Sequence, residues 1–109
     1  YAAAKWGIIG LMKTLAMEWG PEGVRANAIC PGAVEGPRMQ WVMEREAAAK
    51  GTSYQHIYDG YAGGTSMRSL VTAEDVANMA LFLCSKGARL VSGQVIAVDG
   101  HTENPDPKV

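Results

Sequence analysis

The sequence has few cysteines, no surplus of either charge and no long apolar run, and each absence argues against a class of function. Its two cysteines, Cys30 and Cys84, stand far apart without a CxxC motif, which argues against a zinc site and a disulfide scaffold. A reducing, cytoplasmic setting is therefore expected, with no metal. Ten basic and eleven acidic residues give a net charge of −1, which argues against nucleic acid as the main partner. No apolar run approaches the roughly 18 residues of a membrane span.

Apolar spacing and turn signals divide the first third of the sequence. Apolar residues recur at three- and four-residue steps through residues 1–19, which predicts a helix there. These residues are Ile8, Leu11, Leu15 and Trp19. Residues 24–30 then predict a short strand, because β-favouring residues stand at both ends and Pro31-Gly32 closes it.

A long excursion follows this strand. Residues 38–50 predict a helix, and the Gly-, Ser- and Tyr-rich stretch after it predicts an extended loop, a feature that is usually functional. Thr72 predicts the N-cap of a further helix, with Asp75 at the reciprocal capping position. The expected buried face of that helix consists of Val76, Met79, Ala80 and Leu83.

Residues 94–98 predict a second strand, closed by Asp99-Gly100. A strand, a crossover containing a helix, and another strand predict parallel neighbours in one sheet, and hence an α/β fold. Parallel strands need both faces covered and several partners. Since the 109 residues, one domain at most, supply only two strands, we expect this sequence to be part of a larger fold.

Tyr1 and Lys5 are the first candidates for chemistry. Four residues apart on a helix, their side chains lie on one face. A phenol normally loses its proton at about pH 10. An adjacent ammonium stabilises the phenolate that remains. The pair is thus a candidate proton-transfer device for a carbonyl or an alcohol. The same spacing is also common on amphipathic helix surfaces, so the pair alone leaves both interpretations open.

The motifs around this pair resemble the short-chain dehydrogenase/reductase family. They read YAAAK from Tyr1, LAMEWGPEGVRANAICPG from Leu15, TAEDVA from Thr72, SGQ from Ser92 and VDG from Val98. The resemblance spans nearly the whole chain and is weakest at residues 41–64 and in the tail. It implies that residues 1–109 are the C-terminal part of one NAD(P)-binding Rossmann-type domain with a doubly wound parallel sheet. Residues 37–70 would form a substrate lid, and residues 101–109 a tail.

The resemblance also implies roles for individual residues. Tyr1 would be the general acid or base and would also be one of the cofactor-binding residues. Lys5 would hold the ribose hydroxyls of NAD or NADP and stabilise the tyrosinate. Pro31 and Gly32 would turn the chain past the nicotinamide ring, and the backbone of Val34 would meet the carboxamide. The substrate would be a small secondary alcohol or ketone, and the whole enzyme a homodimer or homotetramer.

Three departures from the family pattern bear on activity. Gly36 stands where many relatives carry a cofactor-contacting threonine, so this loop would bind the cofactor through its backbone groups. The sequence also contains neither the glycine-rich phosphate loop nor a serine upstream of Tyr1. We therefore expect a piece of a longer enzyme that is inactive alone. The alternative hypothesis is a naturally short, non-catalytic chain that serves as an interaction module.

Other side chains carry narrower expectations. The lid aromatics would either line a pocket for an apolar or aromatic ketone or pack the lid onto the sheet. They are Trp41, Tyr54, His56, Tyr58 and Tyr61. Glu35 is expected to be a solvent-facing loop acid, and Arg25 and Asn27 are expected to make structural hydrogen bonds. Cys84 is expected to be an inert, buried thiol.

Overall fold

A computed structural model describes residues 1–102 and divides the chain into two compact units. The first comprises Tyr1–Cys30 and Asn78–Ile96, and the second comprises Pro31–Ala77 and the chain from residue 97 onward. Most of the predicted tail, residues 103–109, lies outside the described residues. Within residues 1–102 no helix combines the length and the apolarity needed to cross a membrane.

Helix α1, Ala2–Trp19, dominates the first unit and confirms the helix predicted over residues 1–19. It runs into a short 3₁₀ helix, Gly20–Glu22, which ends at Gly23 with a left-handed φ of 78°. Met12 is the buried residue of α1. The apolar residues that predicted the helix, Ile8, Leu11, Leu15 and Trp19, are 40–59% exposed in the described chain.

Strands β1, Ala28–Pro31, and β2, Val95–Val98, form a two-stranded sheet. Ala28 N–H donates to the Gln94 carbonyl and Gly32 N–H to the Val98 carbonyl, each at 2.9 Å. The partner numbers rise together along both strands, so the strands are parallel, as predicted.

The predicted start of the first strand at residue 24 is wrong, because β1 begins at Ala28. Asn27 explains the late start. Its side chain donates to the Val91 carbonyl at 2.9 Å and accepts from Gln94 N–H at 3.1 Å, which fixes the entry to the sheet by side-chain bonds. Arg25 also donates to the Val91 carbonyl, at 3.3 Å, so the structural role expected of both residues is confirmed.

Replacing Asn27 by alanine is expected to lower the free energy of unfolding by about 1–2 kcal/mol, because the partly buried Val91 carbonyl and the exposed Gln94 N–H each lose a hydrogen bond. Urea unfolding of the complete protein that contains this sequence measures the loss. Asn78→Ala is the matched control, since Asn78 is exposed on a helix. Equal stability of the two variants would contradict the role of Asn27.

In the second unit, helix α2, Pro37–Lys50, confirms the helix predicted over residues 38–50. Helix α3, Tyr54–Gly63, occupies the stretch predicted to be a loop, so that prediction is wrong. Ser53 accounts for the start of α3, because its hydroxyl caps the helix by accepting from His56 N–H at 3.1 Å.

Packing between α2 and α3 supplies the core of the second unit. The buried members of this cluster are Met43, Ala47, Ile57 and Leu70. Partly buried residues pack against them: Ala33, Met39, Tyr54, Tyr58 and Tyr61. Burial of this apolar face, rather than helix propensity, stabilises a glycine- and tyrosine-rich helix such as α3.

Helix α4, Ala73–Leu83, begins at the predicted capping box. Thr72 N–H donates to Asp75 Oδ2 at 2.8 Å, and Asp75 N–H donates to Thr72 Oγ1 at 3.1 Å. Leu83 is buried and Val76 and Met79 are half-buried, but Ala80 is exposed, against the predicted buried face.

The prediction that Cys84 is a buried thiol is wrong, because its side chain is exposed. Cys84 directly follows the last residue of α4, next to the exposed Phe82.

The capping box predicts a pH dependence. The hydrogen bond from the Thr72 N–H holds the pKa of Asp75 below its ordinary value of 3.8. Because the folded value is the lower one, Asp75 stabilises the fold above about pH 4, and this contribution disappears as pH falls further. We expect the difference in melting temperature between the wild type and Asp75→Asn to shrink between about pH 6 and pH 2. Glu74→Gln, in the same helical turn, is the control. A difference independent of pH would contradict the capping role.

Candidate functional site

The first turn of α1 brings Tyr1 and Lys5 together. The Lys5 ammonium lies 5.2 Å from the centroid of the Tyr1 ring, within the range of a cation–π contact. The Lys5 N–H also donates to the Tyr1 carbonyl at 3.0 Å, which fixes the spacing through the helix backbone. The Tyr1 ring is 96% exposed, so both polar groups are open to a ligand.

Pro31, Gly32 and Val34 follow one another in the second unit, at and after the C-terminal end of β1. A Cβ atom on Gly32 would lie 2.9 Å from the Cβ of Asp99, so this position accepts only glycine without a shift. Val34 forms an isolated parallel bridge with Val71. This bridge fixes the course of the chain after the strand, where open α/β sheets bind their ligands.

A groove of about 470 Å³ lies beside this segment. Its lining is Gly32, Ala33, Val34, Glu35, Gly36, Pro37, Arg38, Met39 and Val42. Gly36 has no neighbouring atom within 4 Å of the place a Cβ would occupy, so the groove is open at that point. Glycines and apolar side chains make up most of this lining, and Glu35 and Arg38 add a charged group of each sign.

Glu35 makes a contact that its sequence position does not reveal. Its N–H donates to the Val71 carbonyl at 2.7 Å, and its carboxylate accepts a hydrogen bond from the Tyr58 hydroxyl. That hydrogen bond, followed by burial, raises the pKa of Tyr58. Glu35 is exposed, as expected of a loop acid, but it is also tied to α3.

The lid aromatics divide into two groups. Tyr54, Tyr58 and Tyr61 pack against the core of the second unit, which supports the packing interpretation for these three. Trp41 is 56% exposed with the Arg45 guanidinium 4.8 Å from its ring centroid.

His56 is exposed and borders a second groove, of about 440 Å³, formed by α2 and α3. Across residues 1–102 no three His, Cys, Asp or Glu side chains are grouped so that they could hold a metal ion. Cys30 and Cys84 are both free thiols.

Known proteins match this chain along most of its length. A family model described as Enoyl-(Acyl carrier protein) reductase matches residues 1–101. The chain is 38% identical over 101 residues to the D-beta-hydroxybutyrate dehydrogenase of Rhizobium meliloti, covering 92% of this chain and 39% of that protein. It is 40% identical over 100 residues to a short-chain dehydrogenase/reductase of Armillaria gallica, covering 92% of this chain and 37% of that protein.

A solved structure of an actinorhodin polyketide ketoreductase variant with NADPH superimposes with a TM-score of 0.83 at 32% identity. The match covers 95% of this chain and 40% of that one. The chain thus spans about two fifths of the length of the relatives it matches. Its parallel α/β arrangement is part of the Rossmann fold of these structures. The chain therefore belongs to the short-chain dehydrogenase/reductase family.

Proposed function

We propose that the complete protein containing this sequence is an NAD(P)-dependent oxidoreductase that interconverts a secondary alcohol and a ketone. The observation that carries the proposal is the Tyr1–Lys5 pair on the first turn of α1, in a chain of this family. The relatives support it by their names, which include a hydroxybutyrate dehydrogenase and a ketoreductase solved with NADPH.

In this proposal Tyr1 handles the proton. During reduction its hydroxyl donates a proton to the carbonyl oxygen of the substrate, and during oxidation the phenolate takes the proton from the alcohol. The Lys5 ammonium stabilises the phenolate and donates to ribose hydroxyls. When bound, the nicotinamide supplies or accepts the hydride.

The segment after β1 would hold the nicotinamide ring. Its groove of about 470 Å³ has glycines and apolar side chains on its wall beside the charged Glu35 and Arg38, and the glycines and apolar side chains suit a flat ring. Pro31 and Gly32 would turn the chain past the ring, and the backbone of Val34 would meet the carboxamide and select one face. Because Gly36 has no side chain, the contact with the cofactor at this position would come from backbone groups.

The test is an assay of the complete protein with NADH and NADPH, a panel of aliphatic and aromatic ketones, and an enoyl thioester. We expect cofactor oxidation with at least one ketone and none with the enoyl thioester. Turnover of the enoyl thioester alone would contradict the proposed substrate class, and no turnover with any compound would overturn the activity. Residues 1–109 alone contain no glycine-rich phosphate loop, and we propose that they are inactive by themselves.

We also propose that the complete enzyme is a homodimer or homotetramer in the cytoplasm. Two free cysteines suit a reducing compartment. Large apolar side chains on α1 are unusually exposed in the described chain, with Trp6 at 73% and Met17 at 74%. Gly7 and Gly10 have nothing within 4 Å of a would-be Cβ, so a second helix could approach closely there.

Native mass spectrometry of the complete protein measures its oligomeric state. We expect a dimer or a tetramer, and we expect Trp6→Glu to shift the population toward monomer, because an interface core does not tolerate an unpaired charge. Lys86→Glu, on an exposed turn, is the control. A wild-type protein that is only monomeric would overturn the assembly.

A further inference from the structure

Glu35 is held from two directions within the second unit. Its N–H donates to the Val71 carbonyl at 2.7 Å, and Val71 N–H donates to the Ala33 carbonyl at 3.0 Å, which pins the backbone on both sides of Val34. Val71 is itself buried. The backbone of the segment after β1 is thus fixed, while the Glu35 side chain points away to α3 and accepts from the Tyr58 hydroxyl.

Tyr58 is anchored at its other end. Its ring packs against the core cluster formed by α2 and α3, and it lies 6.3 Å from the ring of Tyr54 in a tilted arrangement. The hydrogen bond to Glu35 raises the pKa of Tyr58, so the hydroxyl stays protonated and remains a donor at neutral pH. Tyr58, with a partly buried ring and a hydrogen-bonded hydroxyl, therefore links helix α3 to the loop that carries Glu35.

Glu35 and Tyr58 also line the same groove. A groove of about 360 Å³ lies between the segment after β1 and the two helices. Its lining is Glu35, Gly36, Pro37, Gln40, Met43, Tyr54 and Tyr58. Loss of the hydrogen bond would leave α3 attached to this segment only through apolar packing.

We propose that Tyr58 is a positioning residue, which acts through Glu35 to hold helix α3 and residues 33–36 together. By fixing these two segments to each other, it keeps the site arranged for substrate binding. This inference rests on the proposed function, because it needs residues 33–36 to lie at the nicotinamide. Tyr58 touches neither the substrate nor the cofactor in this account. Tyr58 raises the fraction of molecules that are already arranged for binding, and the apparent affinity for the substrate rises with that fraction.

The expected effect is therefore on affinity more than on the chemical step. Tyr58→Phe keeps the packed ring and removes the hydroxyl. It is expected to raise KM for the ketone about 5–10-fold, the factor that corresponds to losing one exposed hydrogen bond of ordinary strength. The kcat is expected to stay within about two-fold, because the reacting groups are unchanged once the substrate is bound.

Three variants of the complete protein separate this role from a merely structural one. Glu35→Gln keeps an acceptor oxygen for the Tyr58 hydroxyl and is expected to raise KM less than Glu35→Ala does. Glu35→Ala removes the acceptor and is expected to match Tyr58→Phe. The double variant, Glu35→Ala with Tyr58→Phe, is expected to be no worse than either single one, since both remove the same bond.

Amide hydrogen exchange without cofactor supplies a readout that does not depend on activity. We expect faster exchange in peptides covering residues 33–36 and 54–63 in Tyr58→Phe than in the wild type. Tyr61→Phe is the matched control, since it removes a hydroxyl from the same helix without a bond to Glu35, and its exchange is expected to be unchanged.

The outcomes distinguish the two proposals. Unchanged exchange in Tyr58→Phe would overturn the positioning role, whether or not the protein turns over ketones. Unchanged KM in an active enzyme would overturn it as well. A wild-type protein without nicotinamide-dependent turnover would overturn the proposed function. Faster exchange in Tyr58→Phe of the same protein would still support the link between helix α3 and residues 33–36.

Discussion

Replacing Tyr1 by phenylalanine in the complete protein is expected to lower kcat by about 10²–10⁴-fold, the range contributed by a positioned proton donor. The variant keeps the ring and its place beside Lys5, and it loses only the hydroxyl. Cofactor affinity is therefore expected to change by less than about two-fold, since the ring itself is retained. Steady-state kinetics and a fluorescence titration with NADH and NADPH measure the two quantities separately.

Lys5→Met extends the same experiment to the second residue of the pair. Because Lys5 both stabilises the phenolate and binds the ribose in this proposal, its loss is expected to weaken cofactor binding as well as turnover. Lys86→Met removes an exposed lysine elsewhere and serves as the control. Retention of wild-type kcat in Tyr1→Phe would refute the proton-transfer role, and unchanged cofactor affinity in Lys5→Met would refute the ribose contact.

Gly32→Ala is expected to lower the free energy of unfolding by about 1–3 kcal/mol, the usual cost of forcing an extra carbon into packed structure. Its new Cβ would lie 2.9 Å from the Cβ and 3.0 Å from the Cα of Asp99. Neither of these atoms is the end of a flexible side chain, so the backbone itself must shift. Chemical denaturation of the complete protein measures the change.

Gly20→Ala is the matched control for this substitution. Gly20 has helical φ and ψ of −53° and −44° and nothing within 4 Å of a would-be Cβ. Alanine there is expected to be neutral or to stabilise by about 0.4–1 kcal/mol, because it restricts the unfolded chain. Equal effects of the two substitutions would contradict the close approach of Gly32 and Asp99.

Three helices and the second strand could be predicted because their signals are local. The apolar spacing of α1, the run at residues 38–50 and the Thr72–Asp75 capping box each lie within a few residues of the element that they define. The parallel orientation of the two strands followed from topology, since a helical crossover joins parallel neighbours. These features do not depend on packing partners elsewhere.

Helix α3 was missed because its composition is unfavourable for a helix and its stability comes from packing. Gly60 and Gly63 within it argue locally for a loop. Only burial of Ile57 and its neighbouring tyrosines against α2 overrides that preference. Two local signals could have identified it: the N-cap Ser53, and apolar and aromatic residues at three- and four-residue steps. These residues are Tyr54, Ile57, Tyr58 and Tyr61.

Burial was predicted less well than secondary structure. The periodic apolar positions of α1 are largely exposed, and Cys84 is exposed where a buried thiol was expected. Burial depends on what covers a face, and residues 1–102 offer little to cover α1.

In the candidate site, too, the local contact was predicted and the long-range contact was not. The Tyr1–Lys5 contact follows from helical spacing and was predicted. The Glu35–Tyr58 bond joins residues 23 positions apart on a loop and a helix that was not foreseen. No short-range pattern carries a contact of that kind.

Transfer of deuterium from C4-labelled NADH or NADPH to a ketone, followed by mass spectrometry of the alcohol, tests the central claim most directly. With the wild-type complete protein we predict one deuterium in the product from one of the two C4 positions and none from the other, because one face of the ring is presented to the substrate. With Tyr1→Phe we predict that the rate of transfer falls by about 10²–10⁴-fold, in step with kcat. Absence of deuterated alcohol from either position of either cofactor, across the ketone panel, would contradict the assignment of this protein as a nicotinamide-dependent oxidoreductase.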